Sequence, residues 1–355
     1  MAAVIKVLGL ALYGPLAAST RYRLGQYVAG LATQGIQLEV RYLLGNDYLA
    51  RRFAGRVVRL LPLLESGLTR LKDLMHQARY DAAMLHCELL PLLPGRLERA
   101  LLRVPYVYDF DDAFYLKYRG GRFGFLEPVL GAKFDRIMRG AAAITAGNQV
   151  LAAYASRHNA HTNHLPTVVD TTRYLPSRKD SGGPFTIGWI GSPSTANYLP
   201  QLVEPLSALG QEGPVRFVVI GANAPAVPHV EVVQRPWSEA EEVDLINSFD
   251  VGVMPLPDTP WAEGKCAFKL IQYMACARPV VASPVGANKD VVDADCGLLA
   301  STSQEWLEAL RQLRDRPTLR AAMGDAARCR VELQYSLARN LPVLARILRQ
   351  ASMGD

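Results

Sequence analysis

A strand-like apolar run followed by a helix-like stretch recurs along this chain, and that recurrence restricts the fold more than any single motif. The runs "VIKVLGLAL" (4–12), "IQLEVRYLL" (36–44), "DAAMLHCEL" (81–89), "PYVYDFDDA" (105–113) and "AAAITAG" (141–147) are candidate strands. Helical stretches such as "LGQYVAGLATQG", closed by Gly35, and 148–158 lie between or after them. Such alternation predicts an α/β fold, a parallel sheet with helices on both faces. The segment 163–185, rich in Pro, Gly and Ser, reads as a domain linker. The pattern then resumes with "FTIGWIG" (185–191), "RFVVIGA" (216–222), "VEVVQRPW" (230–237), "FDVGVMPL" (249–256), "RPVVASPVG" (278–286) and "CGLLAS" (296–301). The expected organisation is one domain over 1–175, a second over 176–335, and a final helical segment, 336–355, crossing back to the first half. Two open parallel sheets on a joint form a cleft, and ligands bind at the carboxyl ends of their strands.

The chain has 355 residues, more than a typical single core. Cys87, Cys266, Cys276, Cys296 and Cys329 are scattered without a C-x-x-C pair, which fits a reducing, cytoplasmic compartment. The opening "MAAVIKVLGLALYGP" lacks a basic leader and is interrupted by Lys6, so it reads as a first strand rather than a signal peptide. No run reaches the roughly 18 uninterrupted apolar residues of a membrane span.

The formal net charge of +6 suits anionic partners such as phosphates or an acidic membrane face. The stretch 51–79 interleaves arginines with Leu, Val and Phe. It reads either as a solvated amphipathic helix pair packed on a sheet or as a peripheral patch on the inner, anionic face of a membrane. No base-reading module is recognisable, so nucleic acid is not an expected partner.

The richest stretch for chemistry is "GKCAFKLIQYMACARPVVASPVG" (264–286). A helix starting near Cys266 would aim its N-terminal N–H groups at a ligand, with Gly264 leaving room for close approach. Lys265 and Lys269, four apart, would share a helical face there and form a diphosphate site. The competing reading is that they solvate the helix, although cations at a helix start are unfavourable without an anion nearby. Gln272 lies on the same face as Lys269; its amide suits a ribose hydroxyl pair, or simply the edge of a helix. In "GWIGSPSTANYLPQL" a strand ends at Gly191, and Ser192, Ser194 and Thr195 can cap the next helix or hold a phosphate or sugar hydroxyl.

In "GPLAASTRYRLGQY", Arg21 and Arg23 stand near a helix start, again suited to an anion. "YVYDFDDAFYLKYR" ends a strand with Asp109, Asp111 and Asp112. A carboxylate there can accept a proton from an acceptor hydroxyl, bind sugar hydroxyls, cap a helix or hold Mg²⁺. His158, His161 and His164 in "HNAHTNH" have no fourth ligand and no H-E-x-x-H pattern, so no metal is expected there. The chain has no G-x-S-x-G elbow, no Walker loop and no G-x-G-x-x-G, which argues against hydrolase, ATPase and simple dehydrogenase readings.

The segments "STRYRLGQY" (19–27), "YDFDDAFY" (108–115), "ITAGNQVLAAYA" (144–155), "LPTVVDTTRY" (165–174), "IGWIGSPSTANYL" (187–199) and "KCAFKLIQYMACARPVVASPVG" (265–286), in this order, resemble a GT-B glycosyltransferase of the family 4 type, glycosyl transferases group 1. The resemblance spans nearly the whole chain. It implies two Rossmann-like domains facing across a cleft, the first for the acceptor and the second for a nucleotide-diphosphate sugar. It also implies transfer with retention, without a metal or other cofactor, to a glycan, lipid-linked or small-molecule acceptor.

Carried over, the resemblance places Gly191, Ser192, Ser194, Thr195, Glu263, Gly264, Phe268 and Gln272 in the donor set. Lys265, Lys269 and Asp111 become catalytic, and Arg21, Arg23 and Asp112 acceptor or phosphate ligands. The chain departs from the family pattern at several points. Gln272 stands where a ribose-binding glutamate is usual. Gly264, with Glu263 beside it, stands where a second glutamate contacts the donor sugar. Asp111 replaces a histidine, and the usual Arg and Lys near the start of the second domain have no match in "GSPSTANYL". Two other readings fit the same architecture: a nucleotide-sugar epimerase, and a non-catalytic subunit that binds a nucleotide sugar.

Overall fold

The computed structural model describes residues 4–57, 59–177 and 182–354, and the chain divides into two compact units, each built on a six-stranded parallel sheet. The first comprises Met1–Thr167, Gly264–Cys266 and Leu337–Asp355; the second comprises Val168–Glu263 and Ala267–Ser336.

In the first unit β1 (Ile5–Tyr13), β2 (Ile36–Leu44), β3 (Ala82–His86), β4 (Tyr106–Phe110), β5 (Ala143–Ala146) and β6 (Thr162–His164) lie in the order β2-β1-β3-β4-β5-β6. Helices α1 (Asn46–Phe53), α2 (Leu60–Met75), α3 (Lys133–Gly140) and α4 (Gln149–Ser156) belong to the same unit. β1, β3 and β4 are buried on both faces, which is why they read as continuous apolar runs rather than alternating ones. The C-terminal helix, Leu337–Met353, packs on β1, β3, β4 and the helix Tyr27–Thr33.

In the second unit β7 (Phe185–Ile190), β8 (Val215–Ile220), β9 (Glu231–Arg235), β10 (Val251–Met254), β11 (Val280–Ala282) and β12 (Gly297–Leu299) run in the order β12-β11-β10-β7-β8-β9. Two cores cover its faces. Phe185, Ile187, Trp189, Phe217 and Val253 belong to one. Ile190, Val218, Ile220, Met254 and Val280 belong to the other. Alternation along each strand divides the residues between them. Helices α5 (Val203–Glu212) and α7 (Ser303–Asp315) pack together, and α6 (Phe268–Ala275) packs on α8 (Pro317–Gln334).

Much of the expected linker is built structure. Asn163 and His164 lie in β6, Val168, Val169 and Tyr174 are fully buried, and Val169 bridges to Ser336. Residues 178–181 of that segment lie outside the described residues, as do residues 1–3 of the expected first-strand stretch and Val58 of the basic stretch 51–79.

Candidate functional site

The strand order of the second unit sets its site. β7 lies between β8 and β10, so the chain leaves β7 toward one side and returns to its other side. The carboxyl ends of β7 and β10 therefore flank a topological switch point, where ligands bind such sheets. Gly188 of β7 stands opposite Gly252 of β10. The rings of Phe249 and Tyr273 fill the space that side chains at these two positions would take. They meet edge to face, 6.0 Å between centroids. Sunk into that furrow, Tyr273 accepts a hydrogen bond from the Ile190 N–H, 2.8 Å, at the last residue of β7. Two glycines and one tyrosine thus pin α6 against the end of β7.

The pinned helix carries Lys269 at its second position. Its Nζ lies 5.5 Å from the centre of the Trp189 ring. Its Cε occupies the space beside Gly191, where a Cβ would come within 2.8 Å of it. A side chain at Gly191 would displace the Trp189 ring or the end of Lys269, and Gly221, at φ +83°, is pressed against the Gly191 carbonyl in turn. Ser192 and Ser194 share a hydrogen bond of 2.8 Å, and the Thr195 hydroxyl donates to the Ser192 carbonyl at 3.1 Å. One lysine, glycine backbone and three small hydroxyl residues therefore gather at the end of β7.

The helix begins later than the sequence suggests. Ala267 sits in the left-handed region at φ +52° and Phe268 opens α6, so Lys265 precedes the turn and does not share a helical face with Lys269. A non-glycine residue held there is strained, and such strain concentrates at ligand sites. Phe268 is half-buried, packed beside the core that holds Tyr273. Half-buried Glu263 closes a short helical turn, and its carbonyl lies against Gly286, itself at φ +52°.

Gln272 is buried, and its amide donates to the Tyr174 hydroxyl at 2.9 Å. That hydroxyl donates to Glu242, which also accepts from Trp237 Nε1 (2.7 Å) and Arg173 (3.2 Å). Because Tyr174 spends its proton on Glu242, residue 272 must be a donor, and an ionised glutamate cannot donate. This accounts for the glutamine in place of the expected acid.

At the carboxyl ends of β3 and β4 the first unit builds a different arrangement. Register places His86 opposite Asp109. The buried Asp109 carboxylate accepts from both Nε and Nη2 of Arg23, from His86 Nδ1 at 2.7 Å and from the Thr145 hydroxyl at 2.6 Å. Burial would raise this carboxyl, but Arg23 and His86 overcome it and hold Asp109 ionised, well below the usual range. Arg23 also donates to the Leu165 carbonyl at 2.6 Å and is itself buried. Its expected role on a phosphate gives way to this internal pair. Arg21 lies in the π-helical turn Arg21–Gly25 and donates to the carbonyls of Pro15 (2.6 Å) and Leu16 (3.0 Å).

Asp111 follows the strand rather than lying within it. Its Oδ1 is 3.9 Å from His86 Nε2, and Cys87 Sγ, at φ +67°, is 3.1 Å from the same nitrogen. Burial pushes the Asp111 carboxyl above its usual range, against the pull of His86 and helped by Asp112. The Lys265 ammonium donates to both oxygens of Asp112, 2.7 and 2.9 Å. The neighbouring Cys266 Sγ meets the Asp111 carbonyl at 3.1 Å, and Asn148, the N-cap of α4, donates to the Lys265 carbonyl at 3.0 Å. Gly264 lies so close to Ala113 that a Cβ would come within 2.6 Å. The structure thus joins Lys265 to Asp112.

Sequence reasoning missed His86, Cys87 and a buried network around Lys133. The Lys133 ammonium reaches Glu88 at 2.5 Å, Glu98 at 3.0 Å and the Leu90 carbonyl at 2.7 Å; Lys117 and Tyr118 also bind Glu88. Burial raises both carboxyls, but two lysines win at Glu88, whereas Glu98 is pushed up to about 7. The signal for His86 and Cys87 was their place at the end of an apolar run. Among the described residues, His86, Cys87 and Asp111 form the group whose ligand atoms lie within 4.8 Å of one another. The histidines at 158, 161 and 164 are not part of it.

Residues 184–316 match the family model described as Glycosyl transferases group 1. No curated protein matches the chain in sequence. In fold the chain is similar to Anabaena HepE, solved with UDP and glucose (TM-score 0.68, 15% identity, 97% of this chain and 99% of that one). It is likewise similar to sucrose-phosphate synthase from Thermosynechococcus elongatus (0.71, 14%, 99% and 100%) and to the lipopolysaccharide outer core galactosyltransferase WaaB (0.62, 10%, 99% and 99%). The fold class is thus GT-B, the two-sheet α/β architecture of glycosyltransferases. The match to the glycosyl transferases group 1 model covers 133 of the 355 residues, nearly all of them in the second unit.

Proposed function

We propose that this protein transfers a sugar from a nucleotide-diphosphate sugar to a hydroxyl acceptor, with retention and without a metal. The observation that carries the reading is Lys269. The protein folds a cation into the first turn of a helix, over a glycine, at the switch point of a Rossmann-ordered sheet. A helix start disfavours a cation unless an anion is bound there. A leaving diphosphate is an anion that suits this position, and Lys269 with the first turn of α6 would stabilise the charge it gains as the glycosidic bond breaks. Ser192, Ser194, Thr195 and the backbone at Gly191 would hold the remaining phosphate oxygens or sugar hydroxyls. The complex of HepE with UDP-glucose makes uridine-diphosphate sugars the first donors to try.

In the first unit we assign Asp111 to the acceptor. Its raised carboxyl can orient a hydroxyl, whose proton passes to the leaving phosphate oxygen or to Asp111 itself. Asp112 and Lys265 act as an ion pair that holds the Asp111 segment in place. The reading places the enzyme in a reducing, cytoplasmic compartment, in keeping with five free cysteines of which four are buried. No helix among the described residues is long and apolar enough to cross a membrane.

The test is release of nucleoside diphosphate from a panel of nucleotide sugars, with and without glycan or lipid-linked acceptors. Lys269→Ala should lower turnover roughly 10²–10³-fold with an unchanged circular-dichroism spectrum. Unchanged turnover would remove Lys269 from the mechanism. Interconversion of the donor with no acceptor present would favour the epimerase reading.

A further inference from the structure

Helix α2 packs on the first sheet with one face and leaves a second apolar face uncovered. Its packed face is well defined. Leu74 is buried, Leu63 lies against the cluster of Leu12, Leu43 and Leu44, and the buried Arg70 donates to the Ala11 carbonyl at 2.6 Å. Leu60, Leu64, Leu68, Leu71 and Met75 follow at i, i+4, i+8, i+11 and i+15. With Leu61 they span an arc of about 100° beside the packed face. They are turned to solvent: Leu60 is 74% exposed, Leu64 60%, Leu68 61% and Met75 71%. Single exposed leucines are ordinary, but a continuous stripe of six along four turns is not.

Cations collar this stripe. Arg52, Arg56 and Arg59, just before the helix, and Lys72 on it are all exposed, against the acids Asp47, Glu65 and Asp73 on the same two helices. Exposed Phe53 and Val57 continue the apolar surface toward the arginines. Apart from Phe53 the surface is aliphatic, whereas protein-binding patches are enriched in aromatic anchors. An aliphatic stripe with arginines at its N-terminal end matches a bilayer, acyl chains under anionic headgroups. We propose that α2, with Arg52, Phe53, Arg56, Val57 and Arg59 before it, docks on an anionic lipid surface, with α2 lying in the plane of the interface. This docking is independent of the transfer reading and requires no particular acceptor.

The experiment is sedimentation of the full-length protein with vesicles of phosphatidylcholine, alone or mixed with phosphatidylglycerol. The protein should pellet with the mixed vesicles, and added salt should weaken this. Leu64→Glu with Leu68→Glu should abolish binding; both side chains face solvent, so the thermal midpoint should hold. Arg52→Gln, Arg56→Gln and Arg59→Gln together should lower partitioning roughly a hundredfold, about fivefold per charge. Equal pelleting of the leucine variant and the parent protein would overturn the proposal, as would parent protein that stays in the supernatant. So would a dimer in sedimentation velocity that the leucine variant dissociates without any vesicle binding, since a second copy would then cover the stripe.

Discussion

The carboxyl ends of the two sheets hold contrasting chemistry. In the first unit the end of β4 is crowded with charge, and nearly all of that charge is spent internally: Asp109 on Arg23 and His86, Asp112 on Lys265. In the second unit the end of β7 holds glycine backbone, three small hydroxyl residues and Lys269. A buried ion pair specifies an arrangement; removing one partner strands the other charge in low dielectric. Backbone N–H groups and a lysine at a helix start suit an anion, which is the role proposed for the end of β7. Substitutions of the paired groups in the first region should therefore register as stability, and those of Lys269 and its neighbours at the end of β7 as ligand affinity and turnover.

The largest expected effect is at Arg23. Arg23→Leu leaves the buried Asp109 carboxylate with only His86 and the Thr145 hydroxyl and should cost about 3–5 kcal/mol of unfolding free energy in urea denaturation. A loss under about 1 kcal/mol would mean the pair is not the structural element described here.

A smaller effect depends on pH. Glu98 has a folded pKa of about 7 against an ordinary 4.5. Below the ordinary value both folded and unfolded chains hold the proton, so the group has no effect. As pH rises the unfolded chain ionises first, and the native state is progressively penalised until the folded pKa is passed. Glu98→Gln should therefore gain thermal stability relative to the parent across that window, by roughly 2–3 kcal/mol at its upper end, with no further change above it. A difference independent of pH would show that Glu98 is already ionised beside Lys133.

Gln272→Glu probes a buried hydrogen-bond network of the second unit, where the effect is again on stability. The new carboxylate would face a Tyr174 hydroxyl that already donates to Glu242. A loss of about 1–3 kcal/mol is expected, measured by thermal unfolding at neutral pH. A gain would mean that the Tyr174 proton can be redirected and that the glutamine is not fixed by donor need.

Periodicity carried the fold. Each expected strand is present; β1 and β2 keep nine residues and the others are shorter where turns take over, and the strands buried on both faces leave an apolar signature. β6 escaped because "TNH" is short, polar and at a sheet edge. The start of α6 was misread because Ala267 adopts a positive φ that nothing in an alanine announces. That single turn separates Lys265 from Lys269 and changes the partner of Lys265. Register between β3 and β4, which brings His86 to Asp109, depends on how two strands 23 residues apart slide past each other. Local sequence does not encode it. Lys269, Gly191 and the serines were legible because a glycine at a strand end and a lysine in the first turn of a helix each carry their own physical reason.

The proposed transfer depends on Lys269 binding a diphosphate at the end of β7. Calorimetric titration of UDP into the parent protein and into Lys269→Ala tests this most directly. The parent should give a saturable exothermic signal and the variant a Kd at least about tenfold weaker, the worth of one charge-assisted hydrogen bond. Equal affinities for the two proteins would contradict this role of Lys269.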